Sequence, residues 1–197
     1  YNNEWLDAHK GVDGKVSLRE AIIAANNTAG VDTINFNIAG AGVHTINVAS
    51  ALPSITDTVI INGYSQTSSS RNTLATGDNA ALRVVLDGTN AGNVSGLILQ
   101  AGSGGSTITG LAIGKFGQSG IHVDSNDNTI VGNFIGTNAS GSSSMQNYYG
   151  ITLNSASNTT IGTAAAADRN VISGNLGTGV RILAGGSHTI SGNIIGL

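Results

Sequence analysis

The chain has 197 residues, including 29 glycines and one proline, and only 10% of its residues are charged. Its net charge is −3 and its eight basic residues are scattered, which argues against a nucleic-acid partner. No apolar run approaches the roughly 20 residues of a membrane span, and the absence of cysteine excludes a disulfide framework. So much glycine, serine and asparagine would suit a disordered chain, but Ile, Val and Leu recur at strand spacing and predict a folded domain.

The first predicted element is a helix at about residues 18–26, within an N-terminal segment of residues 1–30. Ser17 and Glu20 have the spacing of a capping box. The apolar residues Leu18, Ala21, Ile22 and Ala25 then lie on one helical face. We expect this face to cover one open end of a stack of strands, because uncovered sheet edges promote aggregation.

Four short alternating segments follow, and each predicts a β-strand. They span 32–36, 44–48, 58–62 and 83–87. The longest predicted loop, residues 63–82, lies between the last two strands. A loop of about 20 residues is usually functional or mobile, and Tyr64 within it is a candidate for stacking on a sugar ring.

Two phrases then alternate along the rest of the chain. The first is a Thr-Ile phrase of eight residues at 107–114, 129–136 and 189–196, with an interrupted copy at 160–174. Its opening threonines are 22, 31 and 29 residues apart. The second reads glycine-apolar-any-apolar, at 96–99, 120–123, 150–153 and 179–182. Repetition at this period indicates stacked structural units.

Each repeat predicts three short strands, which we name a (glycine-apolar-any-apolar), b (Thr-Ile-any) and c (the Ile-Gly end of the phrase). Three strands per turn predict a parallel β-helix of about five coils over residues 31–197. On this pattern, 44–48 is an a strand, 58–62 a b strand and 83–87 a c strand, and 32–36 is the c strand of an incomplete first coil. The last copy ends in mid-pattern without a cap, so either further repeats or a second molecule could stack there.

The N-terminal residues 16–22 (VSLREAI), followed by Ala25 and Asn26, resemble the CSLREA segment of bacterial extracellular proteins. Phrases similar to those of that family follow in its order, at 32–34, 51–53, 61–63 and 169–175. Val16 replaces the cysteine of the family segment. The resemblance implies a right-handed β-helix of the pectate-lyase type in a secreted or cell-surface module, often part of a longer protein and rarely with a defined activity.

The outward positions of strand a are the first candidate site. Alternation predicts a column of Asn47, Ile98, His122, Thr152 and Arg181, and the resemblance implies that this face carries the catalytic groove in related enzymes. A polysaccharide lyase needs a base and a group that neutralises the uronate. His122 or Lys115 could be the base, with Asp124 nearby, and Arg181 the neutralising group. The alternative is a solvated column of unrelated residues.

The sequence gives an enzyme little further support. Glycoside hydrolysis needs two carboxyl groups about 5–10 Å apart, whereas Asp87, Asp124, Asp127 and Asp168 are predicted at different corners. Residues 124–128 (DSNDN) alternate oxygen donors as a calcium loop does, which makes Asp124 and Asn126 weak metal candidates. The glycine and the closing glutamate of such a loop are absent, so turn formation by Asp and Asn is the favoured interpretation.

Asparagine recurs at the b-to-c corner, at Asn133, Asn170 and Asn193. These residues predict a structural ladder that begins one repeat after Leu111, with side chains bonded to one another and to the corner backbone. In strand c, Phe134, Val171 and Ile194 are predicted to face outward. They form either an interface or a surface covered by the loops at 136–149 and 163–169.

Two functions remain open from the sequence. The first is a structural or adhesive module, a rigid scaffold that could associate with itself through its open C-terminal end. The alternative is a carbohydrate-active module that binds or cleaves an acidic polysaccharide, as a lyase or a glycoside hydrolase. Tyr64, Tyr148 and Tyr149 are the candidate sugar-stacking residues. No cofactor is required, although calcium is compatible with residues 124–128.

Overall fold

The computed structural model describes residues 14–196. This part of the chain consists of short β-strands in parallel sheets, one α-helix and two short 3-10 helices, at Gly63–Ser65 and Ala166–Asp168. The all-β, parallel class is therefore confirmed. Residues 1–13 of the predicted N-terminal segment and Leu197 lie outside the described residues.

The α-helix of the described residues, which we name α1, spans Leu18–Ala25. The Ser17 side chain accepts a hydrogen bond from the backbone N–H of Glu20, whose own side chain accepts one from Ser17 N–H, so both halves of the capping box form. Leu18, Ile22 and Ala25 are buried in the main core. The helix thereby packs against the first strand, which lies at residues 32–35.

Three parallel sheets carry most of the strands, and we name them by their place in the repeat. The b sheet has the order β1-β3-β6-β9-β13-β17, with β1 Asp32–Asn35, β3 Val59–Asn62, β6 Thr107–Thr109, β9 Thr129–Val131, β13 Thr160–Ile161 and β17 Thr189–Ile190. The c sheet has the order β2-β4-β7-β10-β14-β18, with β2 His44–Asn47, β4 Val84–Asp87, β7 Leu111–Gly114, β10 Phe134–Ile135, β14 Val171–Ile172 and β18 Ile194–Ile195.

The a sheet is shorter and has the order β5-β8-β11-β15, with β5 Leu97–Leu99, β8 Ser119–Val123, β11 Tyr149–Leu153 and β15 Val180–Ile182. A two-residue pair, β12 Ala156–Ser157 with β16 Gly185–Gly186, forms a small fourth sheet. From β5 onward the chain visits the a, b and c sheets in turn. We call each such passage a level.

Two early strand assignments were wrong. Residues 32–35 pair with Val59–Asn62 and belong to the b sheet, not to c. Residues 44–47 pair with Val84–Asp87 and belong to the c sheet, not to a, so Asn47 lies opposite Asp87 and outside the a-sheet column. The part of the chain before β5, which we call the first level, has no full a strand. At that position Ile55 alone makes a parallel bridge to Leu99. Pro53 has no N–H to contribute to a strand at this point.

The core fills the space enclosed by these sheets. At least one inward residue per strand is fully buried at the central levels, as shown by Leu99, Ile108 and Ile113 and by Leu153, Ile161 and Ile172, all 0% exposed. Identical or similar side chains thus stack on the level above and the level below. This stacking explains why short strands with few large residues are sufficient to exclude water.

Candidate functional site

A column of four side chains runs down the outer face of the a sheet. Ile98 lies opposite His122, His122 opposite Thr152, and Thr152 opposite Arg181. Thr152 is only 2% exposed, and its hydroxyl oxygen lies 2.8 Å from that of Ser119. Thr152 is therefore covered, whereas Ile98, His122 and Arg181 are each part-exposed.

His122 and Asp124 form the polar centre of this column. Nε2 of His122 lies 3.0 Å from Oδ2 of Asp124, and the two side chains are 24% and 27% exposed. Asn154 on the next level donates from Nδ2 to the other carboxylate oxygen at 2.9 Å. When Nε2 carries the proton toward Asp124, Nδ1 of the imidazole is left as a proton acceptor. This arrangement has the orientation that a general base requires.

Arg181 and two tyrosines extend the same face. The guanidinium carbon of Arg181 lies 4.5 Å from the centre of the Tyr149 ring, within the range of a cation–π contact. The Tyr149 ring meets Tyr148 edge-on, with centroids 4.7 Å apart. Tyr148 is 46% exposed, so it is the ring of this pair that is more open to a ligand. An accessible aromatic ring therefore lies one level beyond His122, and a cation lies two levels beyond it.

Lys115 belongs to a different group. Its Nζ bonds Oδ2 of Asp87 at 2.8 Å, at the corner between the c and a sheets. Burial alone would raise the pKa of the Asp87 carboxyl, but hydrogen bonds from Lys115 and Thr89 outweigh it and hold that pKa below its usual value. Lys115 is thus occupied as an ion-pair partner, which weakens its candidacy as a base. A cleft of about 380 Å³ adjoins it, lined in part by Tyr148 and Leu176.

The outer face of the c sheet is covered by loops, which is one of the two alternatives that the sequence leaves open for its outward apolar residues. Phe134 and Val171 are each 3% exposed, and Ile194 is half-buried. They pack in a second apolar cluster with Val85 and Ala112 of the c sheet, Tyr64, Ala80 and Leu82 of the long loop, and Ala139 and Met145 of the loop at 136–149. Loop cover, not an interface, therefore accounts for these apolar residues.

The long loop at 63–82 acts as a strap along this face. Arg169 donates from its guanidinium to the backbone carbonyls of Leu74, Ala75 and Gly77 in the strap, and from Nε to Gly192 O on the last level. Asn72 donates to Ala166 O at 3.0 Å. One side chain therefore joins the strap to levels that are more than 90 residues away in sequence.

Tyr64 is part of this strap and is not a free sugar-stacking residue. Its hydroxyl donates to Gly132 O at 2.8 Å, and the guanidinium carbon of Arg71 lies 4.5 Å from its ring centre. Burial raises the pKa of Tyr64 to about 12, although the charge of Arg71 opposes the shift. Gly110 lies against the ring with φ +75°, and a Cβ there would come within 2.7 Å of a ring carbon. Only a glycine is compatible with this approach.

The three asparagines of the b-to-c corner lie in one hydrogen-bonded column. Oδ1 of Asn133 accepts from Leu111 N–H at 3.0 Å, Oδ1 of Asn170 accepts from Asn133 N–H at 2.9 Å, and Oδ1 of Asn193 accepts from Asn170 N–H at 3.2 Å. The amide groups donate to strand carbonyls, as Asn133 does to Ile108 O and Val131 O. Each asparagine thus satisfies backbone groups of its own level and of the preceding one.

Sequence reasoning missed two further columns of this kind. At the c-to-a corner, Asn147 accepts from Phe116 N–H at 3.1 Å and donates to Oδ1 of Asn175 at 3.0 Å. At the a-to-b corner, Asn128 accepts from Ser106 N–H at 3.0 Å, and Nδ1 of His188 accepts from Thr159 N–H at 3.2 Å. For the a-to-b column, the available signal was the polar residue immediately before each Thr-Ile phrase.

Residues 124–128 form a turn whose oxygens bond the next level. Oδ1 of Asn126 accepts from Ser157 N–H at 2.9 Å, and Oδ1 of Asp127 accepts from Asn158 Nδ2 at 3.1 Å. Asp127 has a left-handed backbone, with φ +63°. Within residues 14–196, no cluster of three or more His, Cys, Asp or Glu has the arrangement of a metal site.

Comparison of this chain with known protein families, with curated proteins and with solved structures finds no match. Within the described part of the chain, no helix has the length and apolar character needed to cross a bilayer.

Proposed function

We propose that this chain is a right-handed parallel β-helix that acts as a secreted or cell-surface structural or adhesive module. The cyclic order of strands among the a, b and c sheets supports the helical path, and parallel strands joined by crossovers are right-handed in nearly all proteins. The resemblance of residues 16–22 to the CSLREA segment supports an extracellular, bacterial origin.

The observation that carries the structural role is the set of three polar columns. Asn133, Asn147 and Asn170 are 0–1% exposed, and their side chains make hydrogen bonds to neighbouring levels. Side chains used in this way stabilise a fixed stack. Such a stack suits a spacer or display scaffold, in which the loops carry the contacts to other molecules.

Two matched variants test this role. Asn133→Ala removes bonds to Leu111 N–H, Ile108 O and Val131 O in the interior, and we expect it to lower the free energy of unfolding by about 4 kcal/mol. Asn193→Ala acts in the half-buried last level and should cost about 1–2 kcal/mol. Chemical denaturation and resistance to protease measure both. Easy digestion of the native strands, or equal small losses in both variants, would contradict a rigid scaffold.

A second function is favoured by one specific arrangement. The His122–Asp124 pair and the Arg181–Tyr149 contact lie on the same column of the a sheet, two levels apart. A base and a cation on one surface are the groups that a uronate-containing polysaccharide would need for binding and for lyase chemistry. We propose this as the alternative function, with Tyr148 as a stacking ring and calcium as a possible additional ligand near Asp124 and Asn126.

Incubation with polyuronates, with and without calcium, tests this alternative. Absorbance of unsaturated products reports cleavage, and retention on immobilised polysaccharide reports binding. His122→Ala should abolish cleavage, and Arg181→Ala should weaken both activities at least tenfold. Arg71→Ala, which changes an arginine on the covered face, is the control and should change neither. If the unaltered chain neither binds nor cleaves any polyuronate, the carbohydrate function is eliminated and the structural function remains.

A further inference from the structure

A groove runs down the c-to-a corner of the stack, beside the a face. Its volume is about 380 Å³, which is within the range of small-ligand sites. Four successive corners contribute to it, so at about 4.8 Å per level it extends roughly 14 Å along the stack. We name it the corner groove, and its main lining residues are Thr89, Lys115, Gln146, Tyr148 and Leu176.

The backbone of the corner groove is held by hydrogen bonds between levels. Tyr148 N–H donates to Phe116 O at 3.1 Å and to Gln118 O at 2.9 Å. Leu176 N–H donates to Asn147 O at 2.9 Å. The groove is therefore formed before a ligand arrives, which lowers the entropic cost of binding. Because these N–H groups are already bonded, they cannot pair with the main chain of an extended peptide.

Tyr148 gives the corner groove an exposed aromatic ring. The ring packs edge-on with Tyr149, with centroids 4.7 Å apart, which restricts its orientation. Leu176, one corner further along the stack, is 64% exposed. The negative face of an aromatic ring attracts C–H groups, and a sugar ring carries C–H groups on its faces and hydroxyl groups around its edge. Tyr148 and Leu176 are therefore a surface on which sugar rings can stack.

Polar side chains line the same groove. The ammonium group of Lys115 has three N–H donors, and Nζ bonds Oδ2 of Asp87 at 2.8 Å. This bond leaves two N–H groups for other acceptors. Gln146 is exposed, and its amide can both donate and accept. These groups match the hydroxyl groups of a sugar, which also donate and accept.

The backbone of Lys115 supports a role for its side chain in binding. Its φ is +67°, a conformation that is unfavourable for residues with a Cβ. Glycine would adopt this φ without strain. Lysine thus stands here against the local backbone preference, which is common at ligand-binding sites.

Charge at the corner groove favours an uncharged ligand. The ammonium of Lys115 and the carboxylate of Asp87 are in contact, so together they carry no net charge. A uronate bound to Lys115 would have the Asp87 carboxylate beside it, and the two like charges would repel. A neutral sugar has no such penalty.

We propose that the corner groove binds a neutral oligosaccharide whose chain runs along the stack. One sugar ring stacks on Tyr148, and hydroxyl groups bond Lys115 and Gln146. This inference goes beyond the functions proposed above, because it concerns an uncharged ligand at the corner and requires no reaction. Tyr148 borders both this groove and the a face.

Calorimetric titration of the 197-residue chain tests the proposal. The ligands are linear hexasaccharides of glucose, mannose and N-acetylglucosamine, with hexagalacturonate as the charged comparison. We expect at least one neutral hexasaccharide to bind with a Kd of about 1 mM or lower, and hexagalacturonate to bind at least tenfold more weakly. Nuclear magnetic resonance should place the shift changes at Gln146, Tyr148 and Leu176.

Substitutions locate the ligand. Tyr148→Ala should lower the affinity about tenfold, whereas Tyr148→Phe keeps the ring and should keep most of the affinity. Lys115→Gly suits the backbone at this position, so the fold should be retained while the affinity falls about fivefold. Leu176→Ala should also weaken binding. Leu74→Ala is its matched control, because Leu74 is an exposed leucine of the strap, and it should change nothing.

Several outcomes would overturn the proposal. They are no binding of any neutral hexasaccharide, tighter binding of hexagalacturonate, unchanged affinity in Tyr148→Ala, or equal losses in Leu176→Ala and Leu74→Ala. Failure here is distinguishable from failure of the functions proposed above. A chain that binds no neutral sugar but resists protease keeps its structural role, and one that cleaves polyuronates keeps the alternative function.

Discussion

The outer faces of the c sheet and the a sheet are built from the same repeat but have opposite surroundings. The c face carries Val85, Phe134 and Val171 under the strap and the loop at 136–149. The a face carries His122 and Arg181, which are only part-buried, although Thr152 between them is covered. The difference teaches that the insertions between repeats decide which face contributes to stability and which remains available for contacts.

The largest expected effect comes from the covered face. Phe134→Ala removes a ring that is 3% exposed, and we expect a loss of about 3–4 kcal/mol in the free energy of unfolding, because a cavity remains under the loops. Ile98→Ala on the half-buried a face should cost about 1 kcal/mol. Denaturant titration measures both. Equal losses would mean that the loops over the c sheet do not contribute to the free energy of unfolding.

Removal of the strap's main attachment should have a smaller effect. Arg169→Ala breaks the bonds to the carbonyls of Leu74, Ala75 and Gly77, and we expect a loss of about 1–2 kcal/mol. Limited proteolysis should then cut faster within residues 72–79. Arg181→Ala on the a face is the control and should leave that cleavage rate unchanged. An uncut strap in the Arg169 variant would contradict its role as an attachment.

The pH dependence of stability gives a third comparison. Tyr64 has a pKa of about 12 in the folded protein against an ordinary value of 10.0. The folded pKa is the higher one, so the stability contribution is complete below pH 10 and is lost as the pH rises toward 12. Tyr64→Phe should flatten this part of the curve, whereas Tyr148→Phe, at an exposed ring, should not. If the pH dependence of stability in Tyr64→Phe matched that of the unaltered chain, another group would be responsible for the loss of stability at alkaline pH.

The smallest effect is expected on the a face. His122→Ala removes a side chain that is 24% exposed and bonded to a carboxylate of similar exposure, and exposed pairs contribute little. We expect a change of less than about 0.5 kcal/mol, measured by thermal or chemical unfolding. A loss comparable with that of Phe134→Ala would show that this face also holds the fold together.

The repeat predicted the local geometry well because each level obeys the same rules. The positions of Asn133, Asn170 and Asn193, and the order of His122, Thr152 and Arg181, follow from alternation and spacing alone. The early strands were misassigned because the chain makes only one bridge at the first a position, that of Ile55. A pattern learned from complete repeats gives no indication of a missing strand.

The strap could not be predicted for a different reason. Arg169 contacts Leu74 across 95 positions of sequence; Arg169 lies in the insertion that interrupts one repeat, and Leu74 lies in the long loop. Contacts of this kind depend on how far the loop reaches along the stack, which no local pattern records. The packing of Phe134 against residues of the loops and the hydrogen bond of Tyr64 to Gly132 O are contacts of the same non-local kind.

The hydrogen-bonded columns have a consequence for how such a chain can change its length. Each asparagine serves its own level and the one before it, as Asn170 does for Asn133. Duplication or deletion of one whole level would therefore leave the remaining asparagines with equivalent partners. A gene could lengthen this molecule in steps of one level of about 4.8 Å, without a new packing solution at each step.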